Sequence, residues 1–175
     1  MDLGRAAGLV WLLFFLTALP GGALIGTFRE AGIALSLFST ACYVALTALL
    51  YELLSPVDRS TALVAAFLSL VGCALTAVAT LLQTSPNTEL ADLGRRGVAV
   101  SFVFFGFFMI AAGSLIVRST FLPHALGTLF IVAGVGWAMF LIPPVVRALQ
   151  GGIVVLGVVA EVTLMLWLLI RGVDV

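Results

Sequence analysis

The chain has 175 residues, of which 63% are hydrophobic and 9% are charged, and its formal net charge is zero. A soluble domain carries about 25% charged residues, so most of this chain has too little polar surface to face water. The zero net charge gives no electrostatic basis for a nucleic-acid partner. The composition therefore predicts an all-α polytopic membrane protein whose principal partner is the lipid bilayer.

Six apolar runs are long enough to cross a bilayer as helices. They are predicted at residues 8–25, 33–54, 62–82, 97–117, 122–142 and 152–170. Short turns join most of these runs, so residues 1–175 are predicted to form a single transmembrane domain, a bundle of six helices. An even number of spans places both termini on the same side of the membrane.

The first run has features of a secretory signal peptide. It follows Arg5 and ends in the small residues 20–23, which resemble a cleavage region. Its apolar part is longer than the roughly 7–15 residues of a signal-peptide core. We therefore predict a retained helix, with a cleaved leader as the alternative.

The second and third runs each carry a stripe of small polar side chains. In both runs the spacing of four, three and four residues places these side chains on one helix face. The stripes are Ser36, Thr40, Tyr43 and Thr47, and Ser69, Cys73, Thr76 and Thr80. A short turn makes the two helices antiparallel neighbours, so the stripes predict close packing with hydrogen bonds across the contact. The alternative is that they line a polar cavity.

Residues 83–96 are predicted to be the longest polar loop, because polar and charged residues predominate in this stretch between the third and fourth apolar runs. The fourth run follows this loop and holds five Phe between Ser101 and Met109. Such a dense aromatic cluster is typical of a lipid-facing or helix-packing surface. We therefore do not interpret it as a cofactor site.

The fifth run begins beside Pro123, which is favourable at a helix start. Small residues at 127, 134 and 138 share one face and predict a close contact with another helix. Trp137, near the end of the run, is one of several aromatic residues considered for the membrane interface. Pro143 and Pro144 are predicted to end the run.

The sixth run, within residues 151–172, carries one carboxylate near its middle, Glu161, and the next cation is Arg171. A charged side chain at bilayer depth costs about 2.5–3.5 kcal/mol on insertion scales. We therefore expect Glu161 to face the interior of the bundle and to meet polar groups on the second and third helices. The predicted ligand- or proton-binding site consists of Glu161, Tyr43, Thr40, Ser69 and Thr76.

Two interpretations of Glu161 remain open. In the first, it is a carboxyl group that binds a proton or a cation and is neutral at rest, because a charge is unfavourable away from water. In the second, it is a structural residue whose hydrogen bonds lock the sixth helix to the two polar stripes. If it is structural, Glu161→Gln should keep the fold and Glu161→Leu should loosen it.

The remaining side chains predict no metal site, cofactor or catalytic residue. Cys42 and Cys73 lie in apolar runs without a C-x-x-C pattern, and buried thiols of this kind are usually inert. His124 is the only histidine, and one axial ligand at the membrane surface is a poor haem site. Phosphate-binding loops, nucleophile elbows and metalloprotease motifs are absent from the sequence, so an enzyme acting on lipid is the least favoured class.

Two further patterns bear on topology. The arginines divide evenly between the two sides, with Arg5, Arg59, Arg118 and Arg171 on the terminal side and Arg29, Arg95, Arg96 and Arg147 on the other. Charge therefore does not orient the chain. Shifting the chain by half its length aligns residues 53–59 with 141–147, which raises the hypothesis of two inverted halves, an arrangement found in transporters.

Three stretches resemble a bacterial six-helix membrane family catalogued as a domain of unknown function. They are LYELLSPVDRSTALVAAF at 50–67, GSLIVRSTFLPHALGTLFIVAGVGW at 113–137 and GVVAEVTLMLWLLIRG at 157–172. The Arg-Ser-x-Phe-Leu-Pro turn and the mid-helix Glu161 followed by Leu-Trp-Leu-Leu carry most of the similarity. The resemblance covers the second to sixth runs, although the connection between the first two helices is shorter here. It implies a cytoplasmic-membrane location with cytoplasmic termini, and it implies no activity.

Two function classes follow from these observations. The first is a non-enzymatic membrane module for transport or sensing, which handles a small apolar molecule or a proton through Glu161. The alternative is an accessory or scaffold subunit, in which the Phe cluster and the small-residue faces dock onto other membrane subunits or a second copy. A cavity that water can reach near Glu161 would favour the first class, whereas a dry, filled centre would favour the second.

Overall fold

The computed structural model describes residues 2–173, and at positions 143, 145 and 147 it describes the backbone alone. The α-helices are α1 Leu3–Leu24, α2 Arg29–Leu54, α3 Arg59–Gln83, α4 Thr88–Arg118, α5 His124–Ala138 and α6 Pro143–Arg171. A short 3-10 helix, Met139–Leu141, extends α5. Six spans in this range are long and apolar enough to cross a membrane, and residues 2–173 contain no strand. The predicted all-α, six-helix membrane fold is confirmed.

The helices form a closed ring in chain order. Each helix packs against the next along the sequence, and α6 packs against α1. The largest side chains with almost no exposed surface include Trp11, Phe108, Phe130, Leu46, Leu115 and Leu168. Edge-to-face contacts join Trp11 of α1 to Phe130 of α5 and Phe130 to Phe108 of α4, with centroids 6.1 and 6.2 Å apart. The core is therefore the axis of the ring, and the outer surface carries many exposed Leu, Val and Phe side chains.

Glycine residues bring α4 and α5 into close contact. A Cβ atom added at Gly134 would lie 2.6 Å from the Gly106 carbonyl oxygen, and one at Gly127 would lie 2.7 Å from that of Gly113. Both distances are shorter than a van der Waals contact, so only glycine fits at these positions. The small-residue face predicted for the fifth run is thus used inside the chain, against α4.

The predicted polar loop at 83–96 is wrong. Helix α3 runs to Gln83 and α4 begins at Thr88, so the connection is residues 84–87. The Asn87 side chain caps α4 by accepting hydrogen bonds from the backbone N–H groups of Glu89 and Leu90. A helix of 31 residues is roughly 46 Å long at 1.5 Å per residue, longer than the ~30 Å hydrocarbon layer. The polar first turns of α4 therefore form a helix that need not contact lipid.

The fifth span ends at Leu141, just before Pro143 and Pro144, as predicted, but the predicted start of the sixth helix at 152 is wrong, because the two prolines are the first residues of α6. Proline is tolerated there because the first-turn N–H groups have no partner within the helix. The part of α6 suited to a membrane span is Ala148–Arg171, which places Glu161 close to its middle. The Arg147 side chain, counted above among the arginines, lies outside the described residues, as do the outermost ends of the predicted 1–175 domain.

The two described ends of the chain meet beside the contact of α1 with α6. Asp2 caps α1 by accepting a 2.7 Å hydrogen bond from the Arg5 N–H, and the same oxygen accepts one of 3.3 Å from the Val173 N–H. Gly172, with φ +66°, allows the turn that brings Val173 to Asp2. The ring is thus closed by polar contacts at its ends as well as by packing.

Candidate functional site

The Glu161 side chain points into the ring. It is 3% exposed, and the Tyr43 hydroxyl donates a 2.6 Å hydrogen bond to its Oε1 atom. Tyr43 lies near the middle of α2, as Glu161 does in the membrane-spanning part of α6. The pair therefore joins two helices at about the depth of the bilayer centre, where the acid is shielded from lipid.

A cavity of about 150 Å³ lies beside this pair. All of the helices except α5 contribute side chains from their middle turns, and α5 contributes Trp137, near its C-terminal end. The lining residues are Phe14, Thr40, Tyr43, Cys73, Thr76, Val98, Ser101, Phe102, Phe105, Trp137 and Glu161. This list contains one carboxylate and neither an arginine nor a histidine. A negative charge on Glu161 would therefore have no protein cation beside it among the lining residues.

The cavity extends from Glu161 towards the membrane face opposite the termini. Thr40 precedes Tyr43 on α2, which begins at that face, and Thr76 follows Cys73 on α3, which ends there. Trp137 lies at the end of α5, on the same side. Since each residue of a helix rises about 1.5 Å, these positions lie between the middle of the bundle and that face.

The structure brings together four of the five predicted site residues. Thr40 and Thr76 line the same cavity as Glu161 and Tyr43. The Thr40 hydroxyl donates to the Ser36 carbonyl of its own helix, whereas the Thr76 hydroxyl oxygen is buried with no hydrogen-bond partner among residues 2–173. Buried hydroxyls are normally hydrogen-bonded, so Thr76 leaves an unsatisfied polar group in the cavity wall.

Ser69, the fifth predicted residue, is elsewhere. Its side chain is fully buried, does not line the cavity and makes a 2.7 Å hydrogen bond with the Thr47 hydroxyl. This bond links α3 to α2, as the close-packing interpretation of the two stripes predicts. Each stripe therefore has two uses, since Ser69 and Thr47 hold the helices together while Thr40 and Thr76 line the cavity.

Sequence reasoning missed the aromatic part of the cavity wall. Phe102 and Phe105 belong to the Phe cluster of α4 and are spaced so that both face inward, where they contact Trp137 with centroids 4.8 and 6.4 Å away. Tyr43 contacts Phe105 and Phe14 at 5.1 and 4.8 Å. The i, i+3 spacing of Phe102 and Phe105 beside Ser101 was the available signal. Phe107, on the opposite side of α4, is exposed.

Trp137 is fixed against α6 just before Glu161. Its indole N–H donates a 3.1 Å hydrogen bond to the Ile153 carbonyl. Its ring occupies the space beside Gly157, where an added Cβ atom would overlap the indole. Gly157 precedes Glu161 by one helical turn, so one face of α6 contacts the Trp137 indole and also carries the Glu161 side chain. Trp137 is 5% exposed and is not an interface residue.

The two cysteines lie in different surroundings. Both are free and buried. Cys73 lines the cavity, whereas Cys42, adjacent to Tyr43 in sequence, does not. They therefore provide a native pair of thiols with which access to the cavity can be measured.

The ring of apolar helices around a buried acid defines a multi-pass membrane protein. The chain belongs to the family described as "Domain of unknown function (DUF4386)", whose model matches residues 17–172. The match begins within α1 and ends at the last turn of α6, so it includes every residue of the cavity except Phe14. No curated protein and no solved structure matches the chain.

Proposed function

We propose that this protein is a membrane-embedded binding module, for transport or sensing, in which Glu161 holds a small ligand or a proton. The observation that carries the proposal is the cavity of about 150 Å³ beside a carboxyl group near the bilayer centre. An engineered cavity of about this volume in a protein core accepts benzene. The site thus has space for a molecule of that size. Location in the cytoplasmic membrane, with both termini in the cytoplasm, is part of the proposal and is supported by the family resemblance.

A proton is the simplest occupant of Glu161. Tyr43 donates the hydrogen bond to Oε1, and the cavity lining includes no arginine or histidine that would offset a negative charge. Holding an unpaired carboxylate away from water is costly. We therefore propose that Glu161 is protonated at rest and ionises when a ligand or water supplies a compensating interaction.

A purely structural role for Glu161 explains less of the site. A structural role requires only the hydrogen bond from Tyr43 to Glu161, which joins α2 to α6. Such a role explains neither the neighbouring cavity nor the buried Thr76 hydroxyl, which has no partner among the described residues. A ligand or a water molecule in the cavity would supply a partner for the Thr76 hydroxyl.

The scaffold alternative has less support from the described surfaces. Gly127 and Gly134, on the face proposed to dock a partner, pack against α4 of the same chain. Phe102 and Phe105, from the cluster proposed to face other subunits, line the cavity. A partner subunit or a second copy would have to use other surfaces, so we propose binding at Glu161 as the function.

Thiol labelling tests whether a small molecule reaches the site. The purified chain in lipid nanodiscs is treated with methyl methanethiosulfonate, which is small and uncharged, and labelling is quantified by mass spectrometry. Cys73→Ser and Cys42→Ser assign the signal to one thiol each. The proposal predicts that Cys73 reacts well before Cys42, because only Cys73 lines the cavity. Equal rates, or reaction of Cys42 first, would contradict it.

A further inference from the structure

We infer that the ligand class of this site is a small organic cation, a methylated ammonium ion, held between the Glu161 carboxylate and the aromatic wall of the cavity. The inference rests on the proposed function and adds the charge and shape of the ligand. Three observations carry it: the charge of the site, the aromatic side chains and the cavity volume.

The charge of the site favours a cation. The lining residues include one carboxyl group, Glu161, and no arginine or histidine, so the charge that this site acquires on ionisation is negative. Tyr43 donates to Oε1 and brings no positive charge. An anion would face Glu161 with nothing to neutralise either partner, and a neutral apolar ligand would leave the carboxyl group without use. A cation supplies the missing counter-charge.

The aromatic side chains suit an ammonium ion with methyl groups. Phe14, Tyr43, Phe102, Phe105 and Trp137 are among the residues that line the cavity. Neighbouring rings stand at 63–74° to one another, so they form walls facing several directions and do not stack into one surface. Cations are attracted to aromatic faces, and cages of such rings are the usual recognition device for quaternary ammonium groups. Methyl groups also need no hydrogen bonds, which the aromatic wall cannot supply.

The volume limits the size of the ion. The cavity is about 150 Å³, and a cavity of this size accepts a ligand of about six non-hydrogen atoms, such as benzene. Tetramethylammonium and choline fall near this limit, whereas large lipophilic cations exceed it. The buried Thr76 hydroxyl, which has no partner among residues 2–173, lines the same cavity and would accept or donate a bond to a hydroxyl such as that of choline.

Binding of such an ion is an exchange with a proton. The Glu161 carboxyl group releases its proton to water or buffer, and the carboxylate that remains pairs with the ammonium group. One proton leaves for each cation bound, and no other bond changes. The net charge of the occupied site is then the same as that of the protonated, empty site, so burial of an unpaired charge is avoided in both states.

The test compares charged thiol reagents at Cys73 in the full chain in nanodiscs, with Cys42 replaced by serine. One reagent is the trimethylammonium-ethyl methanethiosulfonate and the other is the sulfonato-ethyl compound of similar size. Each rate is divided by the rate with glutathione to remove intrinsic reactivity. We expect the cation to react about tenfold faster than the anion, a difference equivalent to about 1.4 kcal/mol. In Glu161→Gln the normalised rates of the two charged reagents should become equal.

Protection by an unreactive ligand provides a second measurement that needs no variant. Choline should slow labelling of Cys73 by the neutral reagent, whereas the dimethylbutanol in which carbon replaces the choline nitrogen should not. Equal protection by the two compounds, equal normalised rates for the two charged reagents, or a cation preference that survives in Glu161→Gln would overturn the inference and leave the proposed cavity intact. Failure of the neutral reagent to reach Cys73 would instead overturn the proposed function.

Discussion

Tyr43 on α2 and Glu161 on α6 lie 118 residues apart in the sequence and share a 2.6 Å hydrogen bond inside the ring. Both helices flank α1, so this bond crosses the interior between elements that do not follow each other around the ring. Both side chains are buried. We therefore expect the stability of the bundle and binding in the cavity to depend on the same two side chains.

Replacement of Glu161 should separate packing from hydrogen bonding. Glu161→Gln keeps an acceptor for Tyr43, and we expect a free energy of unfolding within about 0.5 kcal/mol of the wild type, since such bonds average about 0.6 kcal/mol in membranes. Glu161→Leu leaves the Tyr43 hydroxyl buried without a partner, and we expect a loss of roughly 1–2 kcal/mol. The measurement is unfolding in mixed micelles. If Glu161→Leu were as stable as the wild type, the proposed anchoring would be wrong.

Two hydroxyls of the α3 stripe should respond differently to removal. Ser69→Ala breaks the bond to Thr47 and should lower the free energy of unfolding by about 0.6 kcal/mol. Thr76→Val removes a hydroxyl that has no partner among the described residues, so stability should be unchanged or slightly higher. The Thr76→Val substitution should instead change ligand binding, because Thr76 lines the cavity. A larger stability loss for Thr76→Val than for Ser69→Ala would contradict the assignment.

A methyl group at Gly157 should disturb the cavity. An added Cβ would overlap the Trp137 indole, so Gly157→Ala must displace that ring, and overpacking of this kind costs about 1–3 kcal/mol. Gly152→Ala is the matched control on α6, because nothing lies within 4 Å of an added Cβ there. Unfolding and Cys73 labelling are measured for both variants. Equal behaviour of the two would show that Trp137 does not fix the cavity.

The turn between α2 and α3 should make stability depend on acid pH. The Thr61 backbone N–H, which donates a 2.7 Å hydrogen bond to Asp58, and the nearby Arg118 lower the pKa of the Asp58 carboxyl group below its usual range. A lowered pKa in the folded state adds stability above the unfolded-state pKa, and this is lost as pH falls through the folded-state pKa. Unfolding at a series of pH values below 5 (about one unit above the usual Asp range) measures the effect.

Asp58→Asn is the control for that pH dependence. Asparagine is as good a helix N-cap as aspartate, so the variant keeps the hydrogen bond to Thr61 but does not titrate. Its stability should fall less than that of the wild type on acidification. If both proteins lost stability in parallel, the acid sensitivity would arise from other carboxyl groups.

The membrane fold could be predicted from the sequence because it depends on the length of apolar runs, which is a local property. The helix ends could not, because apolar content does not mark where a helix stops. Residues 88–96 include five polar or charged side chains yet are helical, since a helix outside the lipid needs no continuous apolar surface. Pro143 begins α6, since a proline's effect depends on whether it lies in the first turn or the interior.

The candidate site was predicted in part. A lone acid in an apolar run predicts an inward position for Glu161 from the cost of exposing it to lipid, and the stripe on α2 identifies Tyr43. The choice between Ser69 and Thr76 could not be made, because both share one face of α3 and their neighbours depend on how the helices are rotated in the ring. The position of Trp137 depends on the space beside Gly157, a tertiary contact without a local sequence signal.

Infrared spectroscopy of the Glu161 carboxyl group tests the central claim most directly. The difference between wild type and Glu161→Gln isolates the C=O stretching band of a protonated acid, recorded in H2O and then in D2O with the protein in nanodiscs. Our account predicts that the wild type shows this band and that it shifts promptly in D2O, because water reaches the acid through the cavity. A band that keeps its frequency for hours in D2O, or the absence of a protonated-acid band, would contradict the account.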